Sequence, residues 1–428
     1  MIKKNKLSYS NFTNFLQTNK ARKNIKKRYK QEYIFRKIGA IAIIISIAFL
    51  SILILNISLQ SRGALTQTVV KLPIYLDHQL IYNGNNISNK HSTYKKILIN
   101  SIKSNFPDTA NNRRLRIKTF RFFSQEAPKE IKNFALSNPH LIGSNVEIWL
   151  KTNSQIDQYV KSHIKSIDPY YKELINNKLN NKNLKKEISF NLFFNGDSTT
   201  PESAGIITAF IGSFYTMLIS LFISFPLAVL LALYLEEFAT KNKFTDFIEI
   251  NINNLAAIPS IIFGLLGLAI FITLFGIPRS SSLIGGITLS LLVLPTIVIA
   301  TRNSIKSIPQ TIKDAALALG ASPIQVALHH TLPLALPGIL TGTILAVTRA
   351  IGETAPLLMI GMIAFIVDKP NNITDPTTVL PVQIYLWSNN PETGFAEKTA
   401  ATILILLLLL MLFNMLAIIL RNKYSKRW

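Results

Sequence analysis

SIKSIPQTIKDAALALGASPIQVALHHTLPLALP, from Ser304 to Pro337, joins two long apolar runs and reads as two short helices meeting at a glycine corner. Ser307 suits an N-cap, and Pro309 falls in the first turn, where its missing N–H is no loss. Ala315, Ala316, Leu317, Ala318 and Leu319 are strong helix formers. Gly320 suits the left-handed position just past a helix end. Ser322-Pro323-Ile324-Gln325 has the form of a capping box, with Pro in the first helical position and Gln three residues after the Ser. The second helix is expected to stop before Pro333. Such an ordered hairpin between apolar runs implies that something docks on it; a plain amphipathic connector is the alternative.

The flanking runs are long enough to cross a bilayer, which takes about 20 mostly apolar residues. Spans are expected near Ile206–Tyr234, Leu255–Gly276, Leu283–Ala300, Pro337–Ile366 and Ala400–Leu420. A further span, Ile38–Leu59, stands far upstream. Its apolar run is too long and starts too far in for a signal peptide. The residues before it hold Lys3, Lys4, Lys6, Lys20, Arg22, Lys23, Lys26, Lys27, Arg28, Lys30, Arg36 and Lys37 against the single acid Glu32. That asymmetry places the N-terminus in the cytoplasm. Six spans return the C-terminus to the same side, in agreement with Arg421, Lys423, Lys426 and Arg427. The hairpin also falls there, among basic residues. The loop Glu236–Asn254 falls on that side too, yet carries no basic excess.

Residues 60–204 hold no possible span. Val146–Leu150 and Ile188–Leu192 alternate as strands do, and Ser154–Ile167 reads as an amphipathic helix. The division is therefore a basic cytoplasmic N-terminus (1–37), a first transmembrane helix (38–59), a small α+β periplasmic insert (60–204) and a five-span core (205–428). The fold class is an all-α membrane protein with that insert between spans one and two.

Composition agrees and excludes other classes. The 428 residues are 49% hydrophobic, with a formal net charge of +24 and no cysteine. Disulfides, thiolate metal sites and a Cys nucleophile are excluded. Six His without HExxH or HxxxH spacing give no metal site. The charge is not arranged as a groove-binding module, and runs such as Asn176–Lys186 (NNKLNNKNLKK) reflect a general Asn/Lys bias, so nucleic acid is not a partner. No GxxxxGK[ST] sequence and no catalytic constellation occur, so the chain is neither an ATPase nor another enzyme and needs no cofactor.

Asp314-Ala315-Ala316, Gly320 and Leu332-Pro333 resemble, in residue type and spacing, the EAA loop of binding-protein-dependent ATP-binding-cassette importer permeases with a MetI-like core. Asp314 stands where Glu is usual, and His330 where an apolar residue is usual. The resemblance implies that this loop, residues 304–336, is a coupling helix seated in a separate ATPase subunit, which holds ATP and Mg. Asn254–Gly267 (NLAAIPSIIFGLLG) and Leu345–Leu358 (LAVTRAIGETAPLL) are similar to stretches of phosphate permeases, and GETAPLL to their PstA type. The likeness covers about Ile206–Leu420. The insert, through Ile148-Trp149-Leu150 and Asp157-Gln158-Tyr159, is similar to a domain that precedes the core in some of these proteins. The family implies a bacterial inner-membrane location, a PstC-like second permease, a PstB-like ATPase dimer and a PstS-like periplasmic phosphate-binding protein.

Arg349 and Glu353 lie inside an expected span, each at a cost of about 2.5–3.5 kcal/mol on insertion scales. Four residues apart, they share a helix face and are expected to face the bundle interior or a wet cavity. With Thr354 they form the candidate solute pathway, where a guanidinium fork suits phosphate. A buried ion pair between helices is the bland alternative. Phosphate permeases often carry an Arg soon after the Leu-Pro found here at Leu294-Pro295; Ile299 stands there, and Arg302 reads as a snorkelling charge. Pro226, Pro259, Pro295 and Pro356 are candidate kinks, and Gly264, Gly267, Gly285 and Gly286 close-approach positions. A same-fold permease for molybdate, sulfate or phosphonate is the alternative function. A membrane-anchored sensor is a distant third, since no output domain is visible.

Overall fold

The computed structural model of the protein describes residues 19–83, 86–87, 90–178 and 183–424. Lys3, Lys4, Lys6, Lys426, Arg427 and residues 179–182 of the Asn/Lys run lie outside them. The chain forms two units, residues 1–59 and 60–428. Helix α1, Asn19–Ser61, carries the apolar segment Ile38–Leu59 in its C-terminal half. The basic residues before that segment continue the helix, because Lys, Arg and Gln are good helix formers and no Gly or Pro interrupts them before Gly39.

The insert folds on a three-stranded antiparallel sheet, with Thr66–Tyr75 in the centre between Asn145–Lys151 and Leu184–Ile188. Its elements are β1 (Thr66–Tyr75), α2 (His91–Asn105), α3 (Arg113–Phe122), α4 (Ala127–Ser137), β2 (Asn145–Lys151), α5 (Ser154–Val160) and β3 (Leu184–Ile188). Val70, Leu72 and Ile74 from β1 and Ile148 and Leu150 from β2 pack with Tyr94, Ile97 and Leu98 of α2 and Ile131 of α4. The central strand contains Pro73, which cannot donate to a ladder. It survives there because β3 pairs only with Thr66–Val70, so the proline sits where β1 has one neighbour, β2. The strand expected to run to Leu192 ends at Ile188, the partner of Thr66, where β1 itself begins; Asn191–Phe194 is a helical turn. The expected helix to Ile167 stops at Val160, with Ser162 at φ 66.

The rest is helical. In order come α6 (Ile207–Leu233), α7 (Lys243–Ala257), α8 (Ser260–Leu266), α9 (Ser282–Lys306), α10 (Gln310–Ala318), α11 (Leu332–Gly352), α12 (Ala355–Met359), α13 (Leu380–Ser388) and α14 (Gly394–Tyr424). Among the described residues, five helical stretches are long and apolar enough to cross a membrane, or six if the bent pair α7–α8 is one span. The protein is thus an all-α membrane protein with a small sheet. The span expected at Leu255–Gly276 is part of that pair, bent by 106°. Pro259 removes the N–H that would carry α7 forward and forces Ile258 into extended backbone, φ −69 and ψ 136. The span expected at Pro337–Ile366 also breaks: α11 ends at Gly352, three residues before the Ala355-Pro356 start of α12.

Helices α6, α9 and α11 pack closely through small residues. A Cβ on Gly286 would stand 2.5 Å from the Ile219 Cβ, and one on Gly342 would stand 2.1 Å from the Ala300 Cβ. Without a strong hydrophobic drive inside a bilayer, such backbone proximity supplies the van der Waals contact that holds helices together.

Insert and core are joined by buried charge. Lys161 Nζ donates to the Gly63 and Thr66 carbonyls at 2.8 and 2.7 Å, to Asp157 at 2.5 Å and to Glu397 of α14 at 3.0 Å. Glu397 also meets His163 Nδ1 at 2.5 Å. Nearby Glu202 is 3% exposed. Burial, then the Glu392 and Asp157 charges, push its carboxyl from 4.5 up to about 7. Such a group is tolerated when protonated and penalised when ionised, so stability is full below about pH 4.5 and falls as pH rises to about 7. Glu202→Gln is therefore expected to raise the melting temperature at pH 8 and leave it unchanged at pH 5. Equal shifts at both pH values would refute this assignment.

Candidate functional site

The hairpin is built much as its residues dictate, with three differences. Ser322 and Gln325 form both halves of the capping box, Ser322 N–H to Gln325 Oε1 at 2.8 Å and Gln325 N–H to Ser322 Oγ at 3.3 Å. Gly320 takes φ +87 with nothing within 4 Å of a built Cβ, so its requirement is conformational, not spatial. Ser307, however, does not cap α10. It ends α9, its hydroxyl donating to the Ser304 carbonyl at 2.7 Å, and Pro309 precedes α10 without a side-chain cap. Nor does the second helix stop before Pro333. Pro323–Gln325 passes through a π-helical turn, Val326–Thr331, straight into α11. The wider turn changes the hydrogen-bond register just ahead of the proline, which has no N–H to give and whose ring would clash with a carbonyl one turn back.

Of the sequence-derived coupling residues, Ala316 is buried and Leu332 packs on Val229, Leu233, Ile305 and Ile339. Asp314, Ala315, Gly320 and Pro333 are exposed, and Asp314 accepts from Gln310 at 3.1 Å. The outer surface of the corner is apolar: Leu319 is 90% and Ile324 61% exposed. Ala316, Val326 and Ala327 form the buried side of the hairpin, and the leucine at its corner points out.

What fixes it inward is a set of ion pairs. Arg302 is not a snorkelling charge: it is 7% exposed. Its Nε donates to Glu236 and its Nη2 to Glu249, both at 2.5 Å. Lys306 lies 3.4 Å from Glu236, and Lys313 of α10 lies 2.6 Å from Glu237. The segment after α6, the helix α7, the end of α9 and the hairpin are thus tied together. Sequence reading missed Glu236, Glu237 and Glu249. The signal was there in the acid content of residues 236–254, which offset the basic excess expected of that loop.

Arg349 and Glu353 come together, at 3.4 Å between Nε and Oε1. They do not share one helix. Arg349 is in the last turn of α11, where a cation complements the helix dipole, and Glu353 is the residue beyond its end, at ψ 119. The break follows from Pro356, which has no N–H for the Gly352 carbonyl. The Arg349 side chain is 50% exposed in the single chain and not enclosed by it, whereas Glu353 is 19% exposed. Thr354 stands at the start of α12, partly buried. Among the described residues Arg349 makes this one ion pair, so most of its donors are free for a ligand.

Residues 203–428 match the family described as binding-protein-dependent transport system inner membrane component, and residues 22–169 match a domain of unknown function, DUF3333. The probable ABC transporter permease protein YqgI of Bacillus subtilis is 32% identical over 246 residues, 54% of this chain and 82% of that protein. The phosphate transport system permease protein PstA of Haemophilus influenzae is 34% identical over 228 residues, 53% of this chain and 79% of that one. A solved structure of the MetNI methionine ABC transporter aligns at TM-score 0.41 and 19% identity, over 52% of this chain and 95% of its own.

The Arg302 cluster permits a direct test. Arg302→Met strips Glu236 of its buried partner and leaves it only Lys306 at 3.4 Å, a loss approaching the roughly 3–5 kcal/mol of a broken buried pair. A marked drop in melting temperature is expected, largely reversed by adding Glu236→Gln. Additive losses in the double variant would show that the pair is not the anchor.

Proposed function

The chain belongs to the family of binding-protein-dependent transport system inner membrane components, and from that premise we propose that it is the permease subunit through which inorganic phosphate crosses the inner membrane. It is an ABC-importer permease of the MetI-like type and a multi-pass membrane protein. Its permease relatives are not themselves enzymes.

The observation that carries the phosphate reading is Arg349. A guanidinium at the end of a broken apolar helix, half exposed and held by one long contact to Glu353, is costly unless it faces water or a second subunit. Irregular backbone at such depth is tolerated only where it is buried in protein or lines a cavity. The exposed side of Arg349 therefore lines a pathway closed by a PstC-like second permease. Its fork takes two phosphate oxygens, and Glu353 orients it and keeps the anion from binding too tightly. Thr354 adds a hydroxyl beside them. The PstA relative supports phosphate as the solute. Transport of molybdate, sulfate or phosphonate in place of phosphate would move the assignment to another oxyanion importer.

Both termini and the hairpin lie in the cytoplasm and the insert in the periplasm, in keeping with the basic residues before Ile38 and after Leu420. The Leu319–Ile324 corner seats in a PstB-like ATPase subunit, one of two, that binds ATP and Mg. Its motion passes through Lys313–Glu237 and the Arg302 cluster into α6, α7 and α9. A PstS-like periplasmic phosphate-binding protein delivers the solute.

In proteoliposomes holding the complete complex, Arg349→Ala is expected to cut ATP-driven phosphate uptake at least a hundredfold while the complex still assembles. Normal uptake by that variant would remove Arg349 from the pathway. Gly320→Val forces a β-branched residue into the left-handed region, at about 1–2 kcal/mol, and breaks the corner. Co-purification of the ATPase subunit is expected to fall sharply with the melting temperature of the permease itself little changed. Undiminished co-purification would refute the docking role.

A further inference from the structure

Helices α2 and α3 of the insert and the loop of residues 391–393 enclose a cleft of about 870 Å³. That is within the roughly 300–1,000 Å³ of small-molecule sites. Its walls repeat with helical spacing. His91, Lys95 and Ile99 form one stripe of α2, four residues apart, and Arg116, Ile117, Phe120 and Arg121 form the facing side of α3. Four basic side chains from two helices thus converge on one concavity, against a single carboxylate among the lining residues, Glu392.

Lys71, Lys118, Lys129, Lys151 and Lys161 of the insert form ion pairs. Among the described residues His91, Lys95, Arg116 and Arg121 form none. Arg116 donates only to the Ala110 carbonyl, at 3.3 Å, and the Lys95 ammonium stands 5.4 Å from the Phe120 ring centroid. Like charges gathered without counter-ions repel, and an anion between them relieves that repulsion. Phe120, Phe123 and Tyr171 supply aromatic surface in the same cleft.

We propose that this cleft binds a phosphate monoester carrying an aromatic or apolar group. Two guanidinium forks with a lysine and a histidine match a dianion, whose oxygens accept paired hydrogen bonds. The volume and the aromatic surface exceed what inorganic phosphate can fill. The loop of residues 391–393 opens directly into α14, so a ligand here touches both insert and core. The site does not depend on which solute the core carries, and it can fail without affecting the transport assignment.

The test is calorimetric titration of the full chain in phosphatidylcholine nanodiscs with phenyl phosphate, inorganic phosphate and phenol. Saturable binding of phenyl phosphate is expected, at least tenfold tighter than inorganic phosphate, with none for phenol. Arg116→Gln/Arg121→Gln should weaken it at least tenfold with an unchanged melting temperature, and Lys103→Gln, outside the cleft, should not. No saturable heat, equal affinity for inorganic phosphate, or indifference to the double variant would overturn the proposal. So would a tenfold loss of phenyl phosphate affinity in phosphatidylglycerol nanodiscs, which would make a lipid headgroup the occupant.

Discussion

A guanidinium cannot shed its charge, so once Arg302 is withdrawn from water its counter-charges must come from the protein. Glu236 and Glu249 provide them from two different segments, and that requirement fixes how the end of α9 meets the end of α6 and the middle of α7. The hairpin inherits its position from this cluster. Lys306, one turn beyond Arg302, leans on the same Glu236, and Lys313 reaches Glu237 next to it. A surface ion pair would stabilise by less than about 1 kcal/mol and could not hold such a corner. The Arg302–Glu236 and Lys313–Glu237 pairs are largely buried on both sides, and breaking either strands a charge.

The sequence made the apolar spans, the glycine corner and the capping box legible because each is a local property. Ser322 and Gln325 need only their spacing, and Gly320 only its missing Cβ. What stayed hidden was set by partners distant in the chain. Nothing near Arg302 reveals that Glu236, sixty-six residues earlier, will reach it. Nothing within Ile188–Leu192 reveals that β1 starts opposite Ile188 and leaves the following residues unpaired. Proline effects were only half readable: Pro259 and Pro356 break their spans, whereas Pro226, Pro295 and Pro337 are carried inside α6, α9 and α11. Identical chemistry gives different outcomes because neighbouring helices either re-satisfy the freed backbone groups or do not.

Arg349 and Glu353 came together as their spacing required, though not on the continuous helix that the spacing assumed. The difference changes the chemistry. Inside an unbroken helix both groups would lie along one wall. At a helix end the arginine stands beside the C-terminal carbonyls, whose partial negative charge already favours a cation, and Glu353 sits beyond them on extended backbone. The two meet through a single long contact rather than a tight bidentate pair.

The insert and the core meet through Lys161, whose ammonium is shared by two backbone carbonyls, Asp157 and Glu397. Glu397 lies in the first turn of α14, where an acid is favoured by the helix dipole even before Lys161 is counted. This is the same solution as at the other end of the core: a buried cation bridging acids from separate elements. At Arg302 the bridge steadies the hairpin; at Lys161 it fastens a soluble-type α+β fold to a membrane helix. Since α14 packs on α11, whose last turn carries Arg349, the insert and that helix end are joined by one continuous set of packed elements.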